Sequence, residues 1–455
     1  LFMLTAASPQ YRRDLGDGLV LRWSTAEDTE KIAQLTGHVF RSNADEPPNN
    51  SLADMVRRIM SGDYPLMEPG DFGVVEDTSK QDKPIIACTC LWRQDWEYEG
   101  IRFRIGRPEI VASDPNYRRR GLIRSLFEMV HARSEAEGHL VQAITGIPYF
   151  YRQFGYEYAL DLGGRRVTYL SSIPRLKEGE QEPYRLREAT IDDIPFIQHC
   201  YQRRRADSIV WAPVPNNYWE YEIATWKARP PRDKTGLQII VDTEDTPKGF
   251  LSASTRRWGR GIGIGILEAV GGINWLTLIP SVLRGLESYG QQLPTHKPET
   301  NEPLSEISLS LGRTHPAYDA LGQALAPLYE PPYAWYVRVR DVPAFLRLIA
   351  PALEKRLENS IVAGYSGEIK LDFYRGGLRI VFADGRLTTA EHWDVPLYDS
   401  NAGGGFAPLV FLQLLFGHRS LNDLRYAFPE VWANPQTEVV LNALFPTRPS
   451  YPFPL

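Results

Sequence analysis

The feature that most constrains this chain is an opening pattern that occurs twice. Leu21-Arg22-x-Ser24-Thr25-x-Glu27-Asp28 lines up with Leu186-Arg187-x-Ala189-Thr190-x-Asp192-Asp193, and Ile32 then falls on Ile197. The offset from 21 to 186 is 165 residues and stays constant through this stretch. A constant offset of that size marks a duplicated domain rather than a chance match. With 455 residues the chain has room for two to four domains.

Composition then narrows the class. Apolar residues make up 43% and charged residues 24%, the balance of a soluble globular protein. A net charge of −5 argues against a nucleic-acid partner, which a basic excess would favour, but leaves room for a local basic site. No apolar run reaches membrane-spanning length, and the opening LFML is too short, and lacks the basic flank, for a signal peptide. Three cysteines do not make a disulfide framework. A cytoplasmic protein with no membrane partner is the expectation.

The first segment, 1–165, alternates strand and helix signals. GLVLRWS predicts a strand. Thr25 precedes a helix over AEDTEKIAQLTGHVF with acidic residues in its first turn, as the macrodipole favours. SLADMVRRIMSG predicts a second helix, DFGVVED and PIIACTCLWRQDWEYEG strands, and IRFRIGRPEIVASD a strand paired across Glu99-Gly100. A helix over 121–137, a strand HLVQAITGI, a short helix around PYFYRQFG and a strand YEYAL follow. The second segment, 166–340, repeats much of this order. Its QQLPTHKPETNEP run is polar and Pro-rich, as a surface insertion would be. The third, 341–455, predicts a long helix capped by Asp341, three antiparallel strands turning at Gly376-Gly377 and Asp384-Gly385, and two apolar helices.

Arg118-Arg119-Arg120-Gly121 stands where a strand passes into a helix. Backbone N–H groups in the first turn of a helix have no intrahelical partners and face outward at the positive end of the dipole. Three arginines beside them make a cradle for pyrophosphate, and Gly121 lets a phosphate approach without a Cβ in the way. Alone, the same residues fit a solvated basic corner better.

Downstream stands Tyr149-Phe150-Tyr151-Arg152-Gln153-Phe154-Gly155-Tyr156. The succession of strand, RRRG, helix, strand and aromatic YxxFGY helix resembles the GNAT superfamily of N-acetyltransferases. There an Arg/Gln-x-x-Gly-x-Gly/Ala loop binds the pyrophosphate of acetyl-CoA. Ile123 stands where that loop usually ends in a small residue. The enhanced intracellular survival (Eis) branch carries RRRGLLR and YxRFGY, close to RRRGLIR and YRQFGY here.

The resemblance implies an α/β (α+β) chain: tandem GNAT folds, the second degenerate, then a sterol-carrier-protein-like domain. It implies acetyl-CoA as cosubstrate and an amine acceptor, either a small molecule (aminoglycoside- or polyamine-like) or a peptide lysine. It also implies a homo-oligomer, in the Eis proteins a hexamer. Val111, Ala112 and Ser113 would hold the pantetheine arm. Arg119, Arg120, Gly121, Leu122, Ile123 and Arg124, with Arg118 beside them, would hold the phosphates, and Gly146 and Ile147 would sit near the acetyl end. Tyr151 would be the general acid, protonating the leaving thiolate, a task suited to a phenol. Tyr149 and Tyr156 compete with it by position. The carboxylate of the last residue, Leu455, would be the base; four prolines among the last ten residues stiffen that tail. No metal is expected. Cys88 and Cys90 share one face of a strand and fit buried thiols. Arg260-Gly261-Ile262-Gly263-Ile264-Gly265 imitates a phosphate loop inside a strand-like run, and Gly403-Gly404-Gly405 fits a loop. The competing expectation is a non-catalytic protein that binds an apolar ligand in its third domain.

Overall fold

The repeated sequence pattern is a repeated helix cap. Asp28 Oδ2 accepts from the Thr25 N–H at 2.8 Å, and both its oxygens are forked by Arg22 at 2.7 and 2.8 Å. Asp193 does the same with Thr190 at 2.8 Å and Arg187 at 2.8 and 2.7 Å. The carboxylate satisfies a helix-end donor while the arginine ties that end to the preceding strand. The duplicated motif is thus structural in both copies.

The structure, a computed structural model, describes residues 5–41, 43, 45–228, 235–295, 302–395 and 401–452. Two compact units emerge. One holds the chain up to Leu160, Asp207–Ala212 and everything from Ala334 onward; the other holds Asp161–Ala206 and Pro213–Tyr333.

In the first unit the strands are β1 (Arg12–Gly16), β2 (Leu19–Trp23), β3 (Phe72–Asp77), β4 (Ile85–Tyr98), β5 (Ile101–Ser113), β6 (Val141–Ile144) and β7 (Glu157–Leu162). The helices are α1 (Thr29–Val39), α2 (Asn50–Ile59) and α3 (Leu122–Ala136). β1 to β5 form an antiparallel meander, and β6 runs parallel to β5. The strand Tyr333–Val339 lies between β6 and β7. Leu122, Leu126, Met129 and Val130 of α3 pack on Leu21, Val75 and Leu91 of the sheet. Burying such side chains is worth roughly 1.5–3 kcal/mol each. Gly73 on β3 leaves room for this helix, because a Cβ there would meet Met129 and Leu126.

The third segment also belongs to the first unit. Its strands Gly367–Asp372, Gly377–Ala383 and Arg386–Trp393 pair antiparallel as expected. Asp341 caps its helix through the Ala344 N–H at 2.8 Å. The long helix expected here is instead two, Val342–Leu348 and Ala350–Glu358. Pro351 explains the break: it has no N–H to donate to Arg347, and its ring crowds that carbonyl. Gly404–Gly405, expected as loop, is a short strand between Gly367–Asp372 and Trp432–Ala433. A Cβ on Gly405 would collide with the Trp432 indole.

The second unit has its own seven-stranded sheet. Gly261–Ala269, the run that imitates a phosphate loop, is a strand in it. Arg204 approaches Glu268 on that strand at 3.5 Å and donates to the carbonyls of Leu311 and Thr314. The strand Arg165–Tyr169 directly follows β7 in sequence yet pairs in this second sheet. Of the QQLPTHKPETNEP run, residues 296–301 lie outside the described residues.

Candidate active site

β5 and β6 pair only through Ile105 with Val141 and Gly106 with Gln142, although both strands run on. Beyond that point they part. β5 also carries a bulge against β4, where Cys88 pairs with Ala112 but Cys90 with Glu109. Ile110, within it, has φ +53°, a conformation that turns the backbone out of the ladder. Diverging strands and bulge open a cleft of about 800 Å³ into which the start of α3 faces.

The arginine loop supplies the phosphate end. Arg119 has φ +65° and Gly121 φ +76°, so successive N–H groups curl into a concave nest of the kind that binds anions. Nothing lies within 4 Å of where a Gly121 Cβ would be. No side chain caps α3, and its first backbone bond is Ser125 N–H to Gly121 O at 3.0 Å. The N–H groups of Leu122, Ile123 and Arg124 therefore remain to meet an anion.

Of the positions expected to bind coenzyme, Val111, Ser113, Arg118, Arg119, Gly121, Leu122, Ile123, Arg124, Gly146 and Ile147 line this cleft. Ala112 does not; its side chain is buried beside the bulge. Arg120 does not line it either, and its guanidinium lies 5.4 Å from the centre of the Tyr117 ring. Leu455 lies outside the described residues.

The three tyrosines separate sharply. Tyr149 is 74% exposed, with the Arg152 guanidinium 4.9 Å from its ring centre. Tyr156 is fully buried, its phenol 2.7 Å from His131 Nε2. Tyr151 is 5% exposed, lines the cleft, and is held by the rings of Phe150, Tyr336 and Phe127 at 5.1, 5.4 and 5.7 Å. Burial, and next the charge of Glu109, push its phenol above the usual tyrosine value. The phenol is therefore protonated at neutral pH and carries a proton to donate. Gly146 touches this ring so closely that a Cβ would collide with it.

Sequence reasoning missed Glu109. It lines the cleft, is almost wholly buried, and accepts from Arg107 at 3.0 Å and from the Thr145 N–H at 3.2 Å. The available signal was a carboxylate two residues from an arginine in a strand otherwise rich in apolar residues. Cys88 and Cys90 are buried as expected, and burial pushes the Cys88 thiol up to about 12.

Three comparisons with known proteins bear on this geometry. Residues 21–159 match the family model described as acetyltransferase (GNAT) domain. No curated protein sequence matches the chain. Among solved structures, a GCN5-related N-acetyltransferase from Kribbella flavida is similar at 18% identity and TM-score 0.63, over 95% of this chain and 97% of that one. One from Anabaena variabilis is 12% identical with TM-score 0.64, over 95% and 99% of the two chains. Eis1 from Mycobacterium abscessus is 15% identical with TM-score 0.58, over 95% and 99%. At these identities the likeness is one of fold.

Proposed function

We propose, from the match of residues 21–159 to an acetyltransferase (GNAT) domain, that this chain transfers an acetyl group from acetyl-CoA to a primary amine by direct attack in a ternary complex. The observation that carries the reading is the uncapped N-terminus of α3, with its nest at Arg119–Gly121, opening on the same cleft as the Tyr151 ring. Backbone N–H groups and the guanidinium groups of Arg118, Arg119 and Arg124 suit a pyrophosphate there. The bulged backbone at Ile110–Val111 suits an amide-bearing arm running toward Gly146.

In this mechanism the amine nitrogen bonds to the thioester carbonyl carbon, and the C–S bond breaks from the tetrahedral intermediate. Tyr151 gives its proton to the departing sulfur. The proton lost by nitrogen passes to a base, for which we propose the C-terminal carboxylate of Leu455. The segment before it is anchored. Ile209 N–H donates to Pro449 O at 2.9 Å and Tyr451 N–H to Val210 O at 2.8 Å. Val210 and Trp211 pair in turn with Tyr98 and Glu97 of β4, and Arg448 donates to Glu99. The tail is thus tied to β4 through residues 448–451.

Candidate acceptors are aminoglycosides, polyamines and lysine side chains. The segment from 341 onward is proposed as a sterol-carrier-protein-like domain, and the chain as a homo-oligomer. The deciding experiment is a screen for acetyl-CoA consumption over a panel of these amines, paired with thermal melts. Saturating acetyl-CoA raises the melting temperature of a protein that binds it in the native state. No shift, together with no turnover on any amine, would defeat the proposal.

A further inference from the structure

A carboxylate in a nearly dry wall needs a reason, because burying it uncompensated costs several kcal/mol. Glu109 is compensated on both sides. Behind it, Arg107 is 2% exposed, with its guanidinium 5.3 Å from the Trp92 ring centre and 4.6 Å from that of Trp335. Arg107 Nη1 donates to Gln94 Oε1 at 3.1 Å and Nη2 to Glu109 Oε1 at 3.0 Å. In front, Glu109 Oε1 accepts from the Thr145 N–H at 3.2 Å, and Oε2 accepts from Thr145 Oγ1 at 3.0 Å. Thr145 follows β6 where its pairing with β5 has ended, so no ladder partner on β5 serves its N–H. The next residue, Gly146, abuts the Tyr151 ring.

We propose that Glu109 is a positioning residue. Anchored by Arg107, it replaces the missing ladder across the open end of the β5–β6 wedge, fixes Thr145, and thereby seats Gly146 against Tyr151. This rests on the acetyltransfer reading above. It assigns Glu109 no proton: its oxygens are committed to three donors on Arg107 and Thr145, and a carboxylate so engaged is a poor acceptor for a proton from the amine. Burial raises its carboxyl above the usual glutamate value, with Arg107 and Thr145 acting against that rise.

The test is steady-state kinetics of wild type, Glu109→Gln, Thr145→Val and the double variant, with an amine turned over by wild type. Glutamine keeps the size and one acceptor, so the chain should fold, which the acetyl-CoA-dependent rise in melting temperature verifies. Expected are a kcat for Glu109→Gln lower by roughly 10- to 100-fold, the scale of losing an ångström of alignment, and a KM for acetyl-CoA within about 3-fold of wild type. The double variant should be no slower than the slower single, since both remove one link. The acidic limb of the kcat–pH profile should stay where wild type has it. Unchanged kcat in Glu109→Gln, or fully additive losses, would overturn the proposal. An acidic limb that vanishes in Glu109→Gln would also overturn it, making Glu109 the titrating base. Wild type with neither an acetyl-CoA-induced rise in melting temperature nor turnover on any amine would defeat the acetyltransfer reading itself, and this inference with it.

Discussion

The phenol of Tyr156, fully buried, lies 2.7 Å from Nε2 of the half-buried His131 on α3. That pairing takes Tyr156 out of the cleft, so of Tyr149, Tyr151 and Tyr156 it is Tyr151 that lines it. It also gives the fold a pH dependence. Burial, and then the charge of Arg338, push the His131 imidazole down to about 3.

In the native protein, therefore, His131 stays neutral where an unfolded chain would take up a proton, near pH 6.5. The associated stability is complete above pH 6.5 and drains as pH falls from there toward 3, at up to about 1.4 kcal/mol per pH unit. His139 and His315 are shifted in the same direction, burial being the first cause in each. Thermal melts should show a melting temperature that drops between pH 7 and 5. His131→Asn, which keeps a polar group toward Tyr156, should make that drop shallower. A slope identical to wild type would show that His131 titrates normally.

Tyr151→Phe removes one hydroxyl from a ring otherwise held by Phe127, Phe150 and Tyr336. Turnover should fall by roughly 100-fold or more, the usual contribution of a general acid. Acetyl-CoA should still raise the melting temperature as in wild type, because the phosphate loop is untouched. An unchanged kcat would exclude Tyr151 from proton transfer.

Gly121→Ala puts a methyl group on a residue at φ +76° and in the open space before α3. Strain should cost about 1 kcal/mol of stability, seen as a modest fall in melting temperature. Loss of one charged hydrogen bond, about 1.5 kcal/mol, should raise the KM for acetyl-CoA roughly tenfold, with KM for the amine little changed. Equal effects on both substrates would mean that the loop does not hold the donor.

Glu99 clamps the tail through Arg448 and grips Arg356 at 2.9 Å. If the terminal carboxylate is the base, three glycines added after Leu455 should lower kcat by at least tenfold and leave acetyl-CoA binding alone. Glu99→Gln should lower kcat in the native-length chain and do little more in the extended one. Equal activity of extended and native chains would remove the terminus from the chemistry.

What could be read from the sequence was what is local in it. The Thr25–Asp28 and Thr190–Asp193 caps span four residues each, and the Arg119–Gly121 loop announces itself by composition and by its place before a helix. Glu109 could not be found this way. Its meaning depends on a bulge against β4 and on Thr145, 36 residues later. β1 was missed because Arg12–Gly16 is exposed or half-buried throughout, so no apolar alternation marks it. Tyr333–Val339 went unread too, because only its pairing with Val141–Ile144 shows which sheet owns it. The break at Pro351 is legible in principle, since a proline inside a helical pattern overrides the amphipathic period.

That borrowed strand bears on how the protein can be dissected. A fragment ending at 165 would contain the whole GNAT match, yet it would leave Val141–Ile144 with a bare edge where Tyr333–Val339 belongs, and β4 without Val210–Trp211. Unpaired edges of this kind recruit strands from neighbouring molecules. Excision of the apparent catalytic module should therefore yield an aggregating polypeptide, and a minimal enzyme has to be sought by shortening loops within the full chain.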